Sequence, residues 1–477
     1  MDNKIIIIVL IIYLCLSTSI ALWQSRKIRN AKQLRVSRLS VWQAATFLTG
    51  FTLGGAGTYG VAGDTVKFGM TYLVWFPLSV VFGWWVTGWL FAKAYYHRGG
   101  ETIPSILSSR FDHRTSVASS ISSMLYAFFV MLLEIYTLAI IIRTILPEMT
   151  MPQAAFISLV VNVASVAFSG ILGSATANVL HSGAMLVSFS IAAVLLWRAV
   201  GGWHAAVNEV IAHFSSFAYG GISRSAWLSA FGMGWGIIGQ ILVGKAGRLG
   251  GISVVSNIAA SCKSENDAVS AFWLAGILSG LPPLLSSAIG VFAAALLGNH
   301  MSDTPFYSMM SMAVAEISPL AAGFLLAAVT GAIISAFGPV AIVFSSVLIE
   351  DILKPAFRIP ETLERILFPG IIIIMSIISA VYAVLHGIQD LLPFLYTTAF
   401  PCTVPITVVT FFGLFSSKSS NQSAFLSIII GVAAAIIWGN GLHNPWGVPN
   451  MLIALLIPFL IMTLDLLIQT RMIKKNG

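Results

Sequence analysis

Charge is what this chain has least of. Asp, Glu, Lys and Arg make up 9% of its 477 residues, against roughly 25% in soluble proteins. That scarcity excludes an ordinary water-soluble domain. With 57% hydrophobic residues and a mean hydropathy of +0.92, the chain reads as an all-α polytopic membrane protein. Cysteine is nearly absent too. Cys15, Cys262 and Cys402 are scattered, which excludes a disulfide framework or metal-ligand spacing and leaves them without an assigned role. No ATP-binding motif is visible, so an ion gradient is the natural energy source. No cluster of His, Asp or Glu gathers near one membrane face, as an embedded acyl or glycosyl transferase would need. The formal charge of +8 would suggest nucleic acid in a soluble protein. Here it sits in loops, so no nucleic-acid partner is expected.

Apolar runs of about 20 residues predict about 13 spans, at 4–22, 41–63, 70–93, 117–142, 152–172, 177–199, 227–249, 267–296, 318–345, 366–386, 391–414, 423–439 and 449–470. Cytoplasmic loops carry an excess of Lys and Arg. With the N-terminus outside, 20 basic residues fall on the cytoplasmic side, among them Lys245, Arg248, Lys418 and Arg471. Only Lys4, Lys67, Arg143, Arg198 and Arg224 stay outside. The expectation is a multi-pass cell-membrane protein with its C-terminus in the cytoplasm. The first run carries its basic residues after the apolar stretch, opposite to a secretory signal, and reads as a retained helix. The connections 200–226 and 297–317 read as short interfacial helices. Surrounding lipid is the expected partner besides a solute. Nothing in the sequence fixes an oligomeric state.

Two glycine-rich stretches interrupt apolar runs: Gly50, Gly54, Gly55, Gly57 and Gly60 in the second span, and Gly232, Gly234, Gly236 and Gly239 in the seventh. Glycine costs a helix about 1 kcal/mol relative to alanine. Opened backbone is tolerated at membrane depth only where protein or a water-filled cavity satisfies it. Interruptions at matching places in two halves point to a transporter's binding site; close helix packing on small residues is the competing explanation. The breaks lie five spans apart, and an odd number inverts the second unit. The expected organisation is two inverted five-helix repeats, at 41–199 and 227–415. The helix and basic loop of 1–40 precede them, and two further helices with a short tail follow at 423–477.

Local patterns then resemble the sodium:solute symporter family. Thr102-Ile103-Pro104 with Leu107 and Arg110-Phe111 is similar to its T-[IL]-P-x-x-L-x-x-R-F. Gly232, Gly234, Gly236, Gly239 and Gln240 are similar to G-x-G-x-G-x-x-G-Q. Ser345-Ser346 with Glu350-Asp351 is similar to S-S-x-x-x-E-D. These patterns run from about residue 40 to 415. The resemblance implies a sodium site between the second and ninth spans. It would be made of carbonyls near Gly50, Leu53 and Ala332 and of side chains at Ser335 and Ala336. A hard cation wants several oxygens. Here Ala336 stands in place of a second hydroxyl, Asn178 in place of an aspartate, and Thr52 where some members carry an acid. No cofactor is implied beyond the sodium ion.

Candidate solute-binding residues are Gly54, Gly55, Thr58, Tyr59, Glu134, Trp235 and Gln240. Glu134 lies inside the fourth span, where an acid costs about 2.5–3.5 kcal/mol on insertion scales. It could bind an amine, carry a proton, or pair with Arg143. Asn178 and His181 share a helix face as an inner polar gate or relay, or as an interhelical bond. Lys245 and Arg248 read as topology charges. Asp465 is assigned no transport role. The leading expectation is a secondary active transporter, a symporter of a small organic solute, with sodium coupling favoured. Proton-coupled or uncoupled transport, a transporter-like sensor and a polytopic transferase are the alternatives.

Overall fold

The computed structural model describes residues 3–26, 38–99, 102–167, 169–213, 222–298, 309–388 and 390–476. The basic stretch 27–37 and parts of both long connections lie outside them. α1 (Asn3–Ser25) precedes an interrupted pair, α2 (Val41–Leu53) and α3 (Val61–Phe68). Then come α4 (Met70–His97), α5 (Ile103–Arg110), α6 (His113–Ile145), α7 (Met151–Val166) and α8 (Gly170–Ala199). The short α9 (Trp203–Ala212) and α10 (Arg224–Leu228) lead to a second interrupted pair, α11 (Gly234–Ala246) and α12 (Ser253–Ser261). α13 (Glu265–Leu297), α14 (Met309–Ile317), α15 (Pro319–Val347), α16 (Glu361–His386), α17 (Leu391–Phe394) and α18 (Val404–Phe415) follow. α19 (Asn421–Ile436) and α20 (Asn450–Asn476) are the last. Among the described residues, ten helices are long and apolar enough to cross a membrane, and α7 is a shorter apolar one.

Burial orders these helices from centre to rim. The apolar window of α15 is 94% buried, that of α1 only 17%. α15 is therefore the axis, packed by α1, α2, α6 and α8. Its helix runs through Gly338-Pro339, and α13 runs through Pro282 and Pro283. α2 starts on a capping box, in which Ser40 Oγ accepts from the Gln43 amide and Gln43 Oε1 accepts from the Ser40 amide. Just before it, the Leu39 amide donates to Ser261 O at 2.9 Å. That bond ties the start of the first interrupted pair to the end of the second.

α2 stops at Gly54, where φ is +48°. With ψ at −164° this positive-φ conformation is essentially confined to glycine and costs other residues about 1–3 kcal/mol. A Cβ at Gly54 would also stand 2.1 Å from Glu134 Oε1 and 3.0 Å from Ala336 Cβ. The opened backbone is satisfied from a neighbouring helix, since the Gly55 amide donates to Glu134 Oε2 at 2.8 Å. A π-helical turn, Ala56–Gly60, then leads into α3. Thr58 braces it: its Oγ1 donates to Gly54 O at 2.8 Å, and its own carbonyl accepts from Ser286 Oγ at 2.6 Å.

The second break is not where the glycines are densest. α11 runs unbroken from Gly234 to Ala246, and the chain opens at 247–252 through a 3-10 turn, Leu249–Gly251. The expected span 227–249 is thus displaced, and its far half is α12, read as loop from sequence. The physical reason is packing. Gly236 sits under Gly447 O, where a Cβ would be 3.0 Å away, and Gly244 lies under Tyr396, where a Cβ would be 2.2 Å from the ring. The glycines of α11 let other chain segments come close. Gly250 and Gly251 open the backbone, wedged against Phe91 and the Thr403 carbonyl.

The first break supplies its own test. Gly54→Ala adds both backbone strain and a collision with Glu134, and should lower the thermal unfolding midpoint in detergent by several degrees, the backbone part alone being about 1–3 kcal/mol. Gly57→Ala meets no atom closer than 3.5 Å and should leave the midpoint unchanged. Equal midpoints for the two variants would contradict the role given to Gly54.

Candidate functional site

The two breaks face each other across a small cavity of about 20 Å³, room for about one water. Thr52, Gly54, Glu134, Lys245, Arg248 and Phe400 are among its walls. Each wall has a structural cause. Gly54 and Gly55 expose amides because α2 cannot continue there. Glu134 reaches them from the middle of α6. Lys245 ends α11, and Arg248 stands in the opened turn, so the second break carries both cations inward.

Lys245 and Arg248 are both buried, which corrects their reading as topology charges. Lys245 Nζ donates to Thr52 O at 3.4 Å and lies 4.6 Å from the Phe76 ring centre. Arg248 donates through an Nη to the Tyr126 hydroxyl at 2.7 Å and stacks 4.2 Å over Phe400. Its Nε has no acceptor among the described residues. A buried charge is costly unless paired and hydrogen-bonded. Here one carboxylate, Glu134, faces two cations. Moving a proton from Lys245 to Glu134 would not change the balance, and the cavity keeps an excess of one positive charge. Aromatic faces attract a cation but do not neutralise it.

The expected cation ligands meet at the junction of α2 and α15. A Cβ at Gly50 would lie 2.7 Å from Ser335 Oγ and 3.1 Å from Asn178 Nδ2. Ser335 Oγ donates to Ala332 O at 2.8 Å. Leu53 and Ala336 line the neighbouring turn beside Gly54. Asn178 Nδ2 is buried without an acceptor, and half a turn of the amide would present its oxygen instead. Among the described residues, no group of His, Cys, Asp and Glu could hold a metal ion, so a cation here would rest on carbonyl, hydroxyl and amide oxygens.

Other expected residues lie elsewhere. Trp235 is 71% exposed and packs with Phe231 and Trp75, with ring centres 5.2 and 6.4 Å away. Gln240 is half-buried further along α11 and does not line the cavity. Thr58 and Tyr59 are buried in the π turn, outside the cavity wall. His181 shares a 2.5 Å hydrogen bond with the Tyr13 hydroxyl of α1, so Asn178 and His181 serve different contacts. Arg143 donates to Met149 O rather than to Glu134. Asp465 caps α19, accepting from the Ser420 amide and hydroxyl. The signal for Lys245 and Arg248 was present: two cations three residues apart, followed by Gly250-Gly251, at the end of an apolar run.

Comparison with known proteins fits this architecture. The model of the sodium:solute symporter family matches residues 35–431. The high-affinity proline transporter PutP of Bacillus subtilis is 24% identical over 386 residues, covering 77% of each chain. The osmoregulated proline transporter OpuE of the same organism is 24% identical over 411 residues, covering 82% of this chain and 79% of its own. Among solved structures, a substrate-bound, outward-open Na⁺-coupled sialic acid symporter superposes with a TM-score of 0.78 at 15% identity, over 97% of both chains. A nucleobase-cation-symport-1 family transporter in a closed conformation gives 0.62 at 14%, over 92% of this chain and 96% of its own. The fold is the inverted-repeat transporter fold, and the family's activity is transport rather than enzymatic. The chain belongs to the sodium:solute symporter family, as a multi-pass membrane symporter of a small solute driven by a cation gradient.

Proposed function

We propose that the solute carries a carboxylate and that this group binds between the two helix breaks, against Arg248 and Lys245. The observation behind this is the buried Arg248 guanidinium, whose Nε lacks an acceptor in a cavity with one positive charge in excess. A guanidinium takes a carboxylate through two parallel N–H bonds, and a bound monocarboxylate would balance the charge. A zwitterionic solute, whose amine would meet Glu134 beside the Gly55 amide, would fill the same place but leave the positive charge unbalanced. The relatives' names agree in chemistry, since proline and sialic acid both bear a carboxylate. The cavity holds about one water, so binding a solute requires the walls to part, as alternating access about a midplane site demands.

The coupling cation in this reading is sodium, bound between α2 and α15 by oxygens of Gly50, Leu53, Ala332 and Ser335, with Asn178 turned to present its oxygen. One sodium ion carried with one monocarboxylate moves no net charge, so the sodium concentration gradient would drive accumulation; each further cation would add about 2.3 kcal/mol per 100 mV. Ala336 gives this site one hydroxyl fewer. The membrane orientation keeps the N-terminus outside and the C-terminus in the cytoplasm: with Lys245 and Arg248 set aside in the cavity, 18 of the remaining 23 basic residues lie on the inner side.

The carboxylate reading is tested by uptake into proteoliposomes from a panel including L-proline, sialic acid, lactate and neutral sugars. Carboxylates alone should be carried. Arg248→Lys keeps the charge but removes the fork, and should raise KM for the carried solute by at least about tenfold. An unchanged KM, or uptake of the neutral sugars instead, would overturn it. Ala336→Ser should lower the sodium concentration for half-maximal uptake; uptake indifferent to sodium in both proteins would remove sodium from the α2–α15 junction. For orientation, Lys418→Cys in a cysteine-free background should react with an impermeant maleimide only after permeabilisation. Labelling of intact cells would reverse the assignment.

A further inference from the structure

A second buried carboxylate lies on the other side of the first break. Asp64 sits in the first turn of α3, is 1% exposed, and neither of its oxygens has a hydrogen-bond donor among the described residues. A buried carboxylate left without donors is among the costliest arrangements a protein can hold. Most of that cost goes when the group carries a proton, because the charge is lost; the neutral acid's O–H then needs only an acceptor.

Asp64 lies one turn from an ion pair open to solvent on one side and faces Tyr396, which packs on a wall of the central cavity, on the other. One turn along α3, Lys67 Nζ lies 2.7 Å from Asp390 Oδ1, and Asp390 is 43% exposed. Solvent thus reaches the mouth of the cluster. On the inner side, Tyr396 is within electrostatic reach of Asp64. Its buried hydroxyl has no partner among the described residues. The Tyr396 ring packs edge-on against Phe400 at 5.3 Å, and Phe400 lies under Arg248. The charged and titratable groups coupled to Asp64 are therefore Lys67 on its own helix, Asp390 before α17 and Tyr396 after it. α13, also packed on α3, contributes the Ser287 hydroxyl, which accepts from Thr65, and the Ser286 hydroxyl, which donates to Thr58 O. Two carboxylates share one lysine, an excess of one negative charge that mirrors the positive excess in the cavity.

We infer that Asp64 is a proton-binding site on the outer pathway, separate from the α2–α15 cation site, filled from outside through the Lys67–Asp390 mouth. The inference rests on the symporter reading and on its orientation, and adds a coupling proton to it. With the proton bound, the outer cluster is neutral and the walls around α3 can close on a carboxylate solute below. With the proton lost, a bare carboxylate is sealed in, which favours reopening to water.

The test needs no solute. Full-length protein in proteoliposomes is adsorbed on a solid-supported membrane, and charge displacement is recorded on an acidifying step in sodium-free choline buffer. The wild type should show a transient displacement, Asp64→Asn should lose most of it, and Asp64→Glu should keep it. An infrared difference spectrum over the same step should show a carboxylic-acid C=O band in the wild type that is missing in Asp64→Asn. A full-sized displacement or an unaltered band in Asp64→Asn would overturn the proposal. So would a wild type that is silent to the pH step but responds to sodium through Asp64. Solute-evoked currents on the same sensor report separately on the central site: their absence with carboxylates would sink the carboxylate reading and leave the pH-step result standing.

Discussion

Every backbone amide and carbonyl at membrane depth needs a partner, and this fold spends that constraint in two places. The long helices satisfy their own groups. α2 and α11 are each followed by an opening, and there the freed groups are met from outside the helix. The Gly55 amide is met by Glu134 Oε2, and the Thr52 carbonyl by Lys245 Nζ. Both of these charged side chains hold the first break, while at the second the Gly250 carbonyl accepts from the Tyr95 hydroxyl, and the charges that hold the first break open also line the cavity between the two. Packing follows from the same arrangement. α15 is buried almost throughout because it must seal the side of the breaks that faces α6 and α8.

Charge is distributed with the same economy. The ionisable groups around the first pair fall into two sets: Glu134 with Lys245 and Arg248 buried in the centre, and buried Asp64 and Lys67 with the partly exposed Asp390 toward one face. The first set has one positive charge in excess, the second one negative. Neither is balanced internally, and buried charge left unbalanced is costly. A carboxylate solute in the centre and a proton at Asp64 would settle both accounts at once, so that occupancy of one site eases occupancy of the other. Such mutual easing is a coupling free energy, and it is necessarily reciprocal.

Much of this was legible in the sequence. Scarce charge and long apolar runs established the fold class, and Gly54-Gly55 inside an apolar run marked the first break, because no helix keeps two such residues without cause. Glu134 stood out because a mid-helix acid is expensive. The second break was misplaced because glycine serves two ends with one composition. In the dense run Gly232 and Gly234 shape the turn that starts α11 and Gly236 gives a close contact, as Gly244 does further on, whereas the sparser Gly247, Gly250 and Gly251 open the chain. A window ending at 249 then left Lys245 and Arg248 at an apparent membrane surface. Trp235 was drawn into the site by the same displacement. Lys67 was counted as a loop charge since sequence cannot show that α3 continues past the π turn into protein.

The central claim is that the two breaks enclose the solute. It is tested most directly by a cryo-electron microscopy structure in lipid nanodiscs with a transported carboxylate bound. The account predicts density between Gly54-Gly55 and Arg248, with the carboxylate against the guanidinium and both helix pairs open at 54–60 and 247–252. A solute bound elsewhere, with α2–α3 and α11–α12 continuous, would contradict it.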